Sequence, residues 1–539
     1  MKRIVTSTFI LLIINIFICE AKDPALRPKI LFIPLDARPP CLKMTEKMGL
    51  IGNAEVISPP MKMLGNFQEP GQSTEINAWI LKQDLQSFDA AIVVLDMIAY
   101  GGLVASRKFL IKSPDALARM EVLKQIRKRA PKLKIYGQNV IMRLAPNSDG
   151  KNEVYREKLH TWAKISPDTD EKAKAEILKL EHEIPAEALA DYKMARLRNY
   201  NTNLKAIDFV KNGLIDYLIL SQDDATPKGV HLTDRQNLIA EVNRLGLAEK
   251  IAVQPGADEV SMLLLARVLN KHFNYSPKIK AVYSSDKLRV TTMPFEDRPL
   301  DVTVSHHIKS TGSREVENEN EADLLFYVFP SRHEAGIAEK FASEIEQKIK
   351  AGKRVIVADI DPVGDVQGGD TKFTEALEKR HLFPELSGYA SWNTAGNTIG
   401  TALPHGIIFS LAKAKLLKNE SIASKVWTAQ NWFMINRVMD DYYYHNLVRA
   451  KANAFLTGTN RKASSTLMSD TDTEKVEGYS LGLLQMHLNT FMKNFFEKPG
   501  NSLQQKVTCG EPSGLRLDLP WNRTFEADID FNITCIAGN

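Results

Sequence analysis

Long apolar runs are missing beyond the first twenty residues. No later segment reaches the ~18 clean apolar residues that a membrane-spanning helix asks for, so the body of the chain is expected to have no span. Charge of one sign is also lacking. Lys and Arg number 70 against 65 Asp and Glu, a formal net charge of +5 over 539 residues, too small to argue for a nucleic-acid partner. Cysteine is scarce, with four in all. None falls in a C-x-x-C or Cys/His grouping, which excludes a zinc-finger type of site. The glycine motifs G-x-G-x-x-G and G-x-x-x-x-G-K-[ST] and the H-E-x-x-H metal helix are absent too, so no cofactor is expected. Internal repeats are not visible.

What is present is an ordinary globular composition, 44% hydrophobic and 25% charged, long enough for a large core without staples. Lys2 and Arg3, the apolar run Phe9 to Ile18 and the small residues Cys19 and Ala21 form a signal-peptide pattern over residues 1–21. A lipid anchor on Cys19 is the other reading of the same segment. Either way the chain is expected to be exported, to a periplasm or the outside. Removing the signal leaves Cys41, Cys509 and Cys535. The last two are positioned to close a C-terminal loop in an oxidising compartment, with Cys41 left as a buried thiol.

Short apolar runs recur, among them Ile30–Leu35, Ala90–Leu95, Tyr217–Ser221 and Arg354–Ile360. Most are continuous rather than alternating, as in strands buried on both faces of a parallel sheet. Helical spacing lies between them, for example over Asp115–Arg129 and Glu259–His272. The pattern predicts an α/β fold with a parallel sheet or a TIM-barrel-like core over 27–405. A charged, helix-prone insertion interrupts it at 151–210, a helical region follows at 406–498, and a small β tail closes the chain at 499–539.

Functional residues in such folds collect after strands, and five segments put polar groups there. Asp36 and Arg38 follow the first strand, to grip a substrate or to pair with each other. Tyr100-Gly101-Gly102 and Arg107 follow the third, with the glycines marking a tight turn. Asp223 and Asp224 stand together after Tyr217–Leu220. Two adjacent acids at a strand end are costly without a function, and paired carboxylates are the working parts of most glycosidases. Asp258 and Glu259 add two acids after Ile251–Gln254. Finally, Trp392, Asn393 and Asn397 offer a sugar an aromatic face and neutral amides. Asp359, Asp361 and Asp365 follow Arg354–Ile360 as further rim acids.

The set IPLDARP, DMIAYGGLVASR, SQDDATPKG, PGADE and SWNTAGNTIG, spread from Ile30 to Arg449, resembles a bacterial family known as domain-of-unknown-function family 4127. That resemblance implies no chemistry. A looser similarity is to the O-GlcNAc hydrolase type of β-N-acetylhexosaminidase, carried by Asp223-Asp224, Trp392-Asn393 and Asn397, while the insertion and the motif spacing depart from it. It implies that Asp223 orients the substrate acetamido group and Asp224 is the general acid/base. The expectation is therefore an exported glycoside hydrolase acting on a glycan that includes N-acetylhexosamine, with Asp223 and Asp224 catalytic and Asp36, Arg38, Tyr100, Arg107, Asp258, Glu259, Trp392, Asn393 and Asn397 binding substrate. Two alternatives stay open: a metal-dependent hydrolase using the same acids as oxygen ligands, and a non-catalytic carbohydrate-binding protein.

Overall fold

A computed structural model describes residues 26–67, 69–148, 152–364, 368–456, 467–496 and 507–537. The signal-peptide and Cys19 readings lie outside these residues, as does Asp365.

Six strands form the first sheet: β1 (Lys29–Ile33), β2 (Glu55–Ile57), β3 (Ala90–Val94), β4 (Lys134–Ile141), β5 (Tyr217–Gln222) and β6 (Ile251–Pro255). Their order is β2-β1-β3-β4-β5-β6, all parallel. Every residue of β3 and β5 is buried, because helices cover both faces, and this is why the runs are continuous rather than alternating. Five more strands form a second parallel sheet: β7 (Lys278–Tyr283), β8 (Arg314–Glu315), β9 (Leu324–Phe329), β10 (Val355–Asp359) and β11 (Gly388–Ala390), in the order β11-β10-β9-β7-β8.

The parallel-sheet alternative therefore holds and the barrel does not. A barrel would carry the chain around in one direction until the last strand met β1. Here β1 lies between β2 and β3, so the chain reverses direction after β2 and the sheet stays open. Reversal of strand order leaves a crevice at the carboxyl ends of β1 and β3, where open α/β sheets bind ligands.

Helix Val260–His272, after β6, packs on helix Ala395–Lys415, after β11, and this pair joins the two sheets. Gly400 permits the approach, since a Cβ there would lie 2.1 Å from Glu259 Cγ. The charged insertion forms helices Arg156–Ile165, Glu171–Glu183 and Ala186–Lys211, with a small core of their own around Leu159, Trp162, Leu180 and Tyr192. Asp115–Arg129, read as one helix, breaks at Glu121 into Ser113–Met120 and Val122–Arg129. The polar segment 310–321 holds β8 and a turn of 3₁₀ helix over Glu319–Glu321.

Helix Glu420–Val438 runs into a π-helical stretch, Met439–Val448, and helix Asp470–Phe496 follows. The tail contributes two antiparallel pairs, β12 (Val507–Cys509) with β15 (Cys535–Ala537), and β13 (Ser513–Asp518) with β14 (Asp528–Asn532). Cys509 and Cys535 are disulfide-bonded, and Cys41 is a buried free thiol. Among the described residues no helix is long and apolar enough to cross a membrane.

Candidate functional site

Register places the strand ends together. Ile33 of β1 pairs with Val93 of β3, and Gln222 of β5 pairs with both Ile141 of β4 and Pro255 of β6. The residues that follow these strands therefore emerge along one edge, where they wall a cavity of about 340 Å³. That size is near the lower end for small-molecule sites. Arg38, Arg107, Asp223, Asp224, Asp258, Asn393 and Asn397 all line it, each of them singled out in the sequence.

Arg38 is the hub of one wall. Its Nε and Nη2 hold Asp36, Nη2 and Nη1 reach Asp258 at 2.7 and 3.1 Å, and Nη1 donates to Glu526 at 2.8 Å. All four side chains are buried. Such a group is tenable only because each charge has a partner. Burial pushes the Asp258 carboxyl up, against the pull of Arg38, while the three acids hold Arg38 well above its ordinary value. The two readings of Asp36 and Arg38 thus meet: they pair with each other, and Arg38 also faces the cavity.

The two neighbouring acids have different surroundings. Asp223 is buried and accepts from Arg107 through both oxygens, at 2.8 Å each, and its Oδ1 also accepts from the Asp224 backbone N–H. Asp224 is 38% exposed at its side chain and is held through one oxygen by Arg143 at 2.6 Å. Asn147 ties the two arginines together, its Oδ1 accepting from both at 2.6 Å.

Asn393 takes a left-handed backbone (φ 54°), which asparagine tolerates, just before Thr394 caps helix Ala395–Lys415 with its hydroxyl. The helix N-terminus therefore faces the cavity, with its partial positive charge. There it meets a residue that the sequence reading missed. Glu296 lines the cavity and is 3% exposed. Its Oε1 accepts from the Gly396 backbone N–H at 2.8 Å, and its Oε2 has no partner among the described residues. Burial, with Glu259, Asp297 and Asp224 nearby, pushes this carboxyl up to about 8, so it carries a proton at neutral pH. Glu296 lies in the stretch MPFEDRP, which follows no strand directly. Its role comes from tertiary contact with a helix a hundred residues away. The tail, also missed, lines the cavity with Trp521, Arg523 and Phe525.

Four expected binding residues do not line the cavity: Asp36, which is held by Arg38 behind it, and three that turn elsewhere. Trp392 is 4% exposed and belongs to the core. Its indole N–H donates to Thr401 at 3.0 Å, so it is not a sugar platform. Tyr100 is buried with its hydroxyl against Thr202, under the guanidinium of Arg198. The adjoining glycines make their turn against protein backbone, Gly101 against Gly71 and Gly102 against the Leu35 carbonyl. Glu259 is fully buried behind the cavity wall, accepting from the Ala257 backbone N–H. All three follow strands, but each turns to the packed side. Asp359 and Asp361 stand at the end of β10 beside Arg332, outside the cavity. The pentad Gly478-Tyr479-Ser480-Leu481-Gly482 matches G-x-S-x-G, yet it lies within helix Asp470–Phe496 with Ser480 buried. A nucleophile elbow needs a strand-to-helix turn.

Among the described residues, no group of three or more His, Cys, Asp or Glu is arranged to hold a metal ion. Asp223, Asp224 and Asp258 are each matched to an arginine.

The family described as "Protein of unknown function (DUF4127)" matches residues 30–530. The chain belongs to this family. No curated protein and no solved structure matches it. The match spans both sheets and nearly the whole tail, so the cavity, built from β1 through Phe525, lies inside the family's own extent.

Proposed function

We propose that the chain is an exported glycoside hydrolase that works through two carboxyl groups, Glu296 as general acid and Asp224 as the second carboxylate. The observation that carries this reading is Glu296: a cavity-lining carboxyl held protonated by burial, with one oxygen unengaged. A protonated acid and an ionised one in the same cleft are what glycosidic cleavage requires. Glu296 gives its proton to the glycosidic oxygen as the C1–O bond breaks. Asp224, half-exposed and steadied by Arg143, either removes a proton from the attacking water or attacks the anomeric carbon itself. The configuration of the first sugar released distinguishes these two routes. Phe67, Phe295, Trp521 and Phe525 line the cavity and offer sugar rings apolar faces.

These roles differ from those implied by the hexosaminidase resemblance. Assistance by an acetamido group needs an acid free to receive its N–H. Both Asp223 oxygens are already engaged by Arg107, so Asp223 positions Arg107 and the strand end rather than the substrate. The Cys509–Cys535 disulfide supports export to an oxidising compartment.

The test is hydrolysis of a panel of aryl glycosides, including N-acetylhexosaminides and uronides, by the chain from residue 22 onward. Glu296→Gln should lose turnover of glycosides with poor leaving groups by ~10²–10⁴-fold, yet retain most turnover of a dinitrophenyl glycoside, which departs without protonation. Equal losses on both leaving groups would remove Glu296 from the acid role. Absence of turnover on the whole panel would remove the hydrolase reading.

A further inference from the structure

Five arginines line the cavity, and three of them hold carboxylates within 2.8 Å: Arg38 holds Asp36, Asp258 and Glu526, Arg107 holds Asp223, and Arg143 holds Asp224. Arg156 stands 3.9 Å from Glu153 but is about one-third exposed, so solvent reaches it. Arg523 differs. Its side chain is only 12% exposed and its nearest carboxylate oxygen is Glu526 Oε2 at 3.7 Å, beyond hydrogen-bond reach. The other oxygen of that carboxylate is taken by Arg38. Arg523 Nε is buried with no hydrogen-bond partner among the described residues.

The guanidinium is instead fixed by rings. Its carbon lies 4.4 Å from the Phe67 centroid, 5.1 Å from Trp521 and 5.7 Å from Phe525. Aromatic faces hold a guanidinium in place without using its N–H donors. Leaving Nε unmatched where burial already disfavours the cation is costly, unless a bound acceptor completes it.

A second, independent donor is unmatched on another wall. Asn147 is 7% exposed, lines the cavity, and has its Oδ1 fixed by two arginines, while its Nδ2 amide donor has no partner among the described residues. The N-terminus of helix Ala395–Lys415 adds positive potential to the same space.

We propose that Arg523 is the specificity residue of this cavity and that it selects a sugar carrying a carboxylate or sulfate group. The planar fork of arginine matches either anion through two N–H donors, as a lysine would not. The proposal deepens the hydrolase reading by naming its substrate class, but the binding it describes does not depend on turnover.

The test is isothermal titration of the full mature chain with free, unreactive sugars: glucuronate, glucose 6-sulfate and glucose. The expected result is at least tenfold tighter binding of one of the two anionic sugars than of glucose. Arg523→Gln should abolish that preference and Arg523→Lys should restore only part of it. The arm that binds identifies carboxylate or sulfate as the recognised group. Equal affinity for glucose, no binding of either anion, or an Arg523→Gln variant that keeps the preference would each overturn the proposal. If Arg523→Gln does not fold, the wild-type ratio of anionic sugar to glucose decides alone. A chain that binds glucuronate but hydrolyses nothing keeps this inference and loses the hydrolase reading. One that cleaves neutral glycosides and ignores both anions does the reverse.

Discussion

Arg38 and Glu526 are 488 residues apart in sequence and 2.8 Å apart in space, buried together at the wall of the cavity. This contact fastens the tail to the first sheet beside Trp521, Arg523 and Phe525, so the site is complete only when the C-terminus is docked. Glu526→Gln removes one of three acids around Arg38 and leaves its Nη1 donor facing a neutral amide where a carboxylate stood. Unfolding free energy should fall by about 1–3 kcal/mol, less than the ~3–5 kcal/mol expected for a buried pair broken outright, because Asp36 and Asp258 remain. Denaturant midpoints check the size. A variant as stable as the parent would mean that the contact does not hold the tail.

The disulfide should act at the same place. Cys509 and Cys535 close a 26-residue separation around the segment that lines the cavity. Replacing both with serine should cost about 2–4 kcal/mol and raise KM more than it lowers kcat, since the docked segment carries binding groups and neither proposed catalytic carboxyl. A fall in kcat with KM unchanged would place the tail's influence on the chemistry instead.

Proton binding sets a direction for pH. Burial raises Glu296 from 4.5 to about 8, and raises Asp96 and Asp359 from 3.8 to about 7. The folded chain therefore holds protons that the unfolded chain has released. Their contribution to stability is fully present below pH ~4 and is lost as pH rises through the folded values. Melting temperature should decline between pH 5 and 8, and Glu296→Gln should flatten part of that decline. In the hydrolase reading, kcat/KM should also fall above pH about 8, as Glu296 loses the proton it donates. A profile that keeps rising past pH 9 would contradict the assignment.

Strand positions were legible because each buried strand is a continuous apolar run that needs no distant information. β1, β3, β5 and β10 appear within a residue or two of their sequence limits. Sheet order was not legible, since β1 carries no mark that says whether β2 and β3 lie on the same side of it. Strand-end acids were legible as a set, and Asp223, Asp224 and Asp258 do share one cavity. Their division of labour was not, because it depends on which arginine each one meets. Arg143, which holds Asp224, lies past the end of β4 in the motif-poor stretch MRLAPN. Glu296 and Arg523 had no local signal at all: one gains its character from a helix N-terminus and the other from three rings.

Trp392 separates the local from the tertiary reading most sharply. Its neighbours Asn393 and Asn397 do line the cavity, so an indole between amides looked like a sugar platform. The backbone changes direction here, with Ser391 N–H bound to Asp441, the Trp392 N–H bound to Thr398 and Asn393 left-handed. That turn sends Asn393 outward and Trp392 into the core, where its N–H meets Thr401. Trp392→Phe keeps most of the buried volume, deletes this N–H donor and leaves Thr401 short of a partner. Stability should drop by about 1–3 kcal/mol while KM for any substrate or Kd for any sugar changes less than twofold. Trp392→Phe with parental stability and a tenfold weaker sugar affinity would return the indole to the binding surface, and the geometry of helix Ala395–Lys415 would have to be redrawn around it.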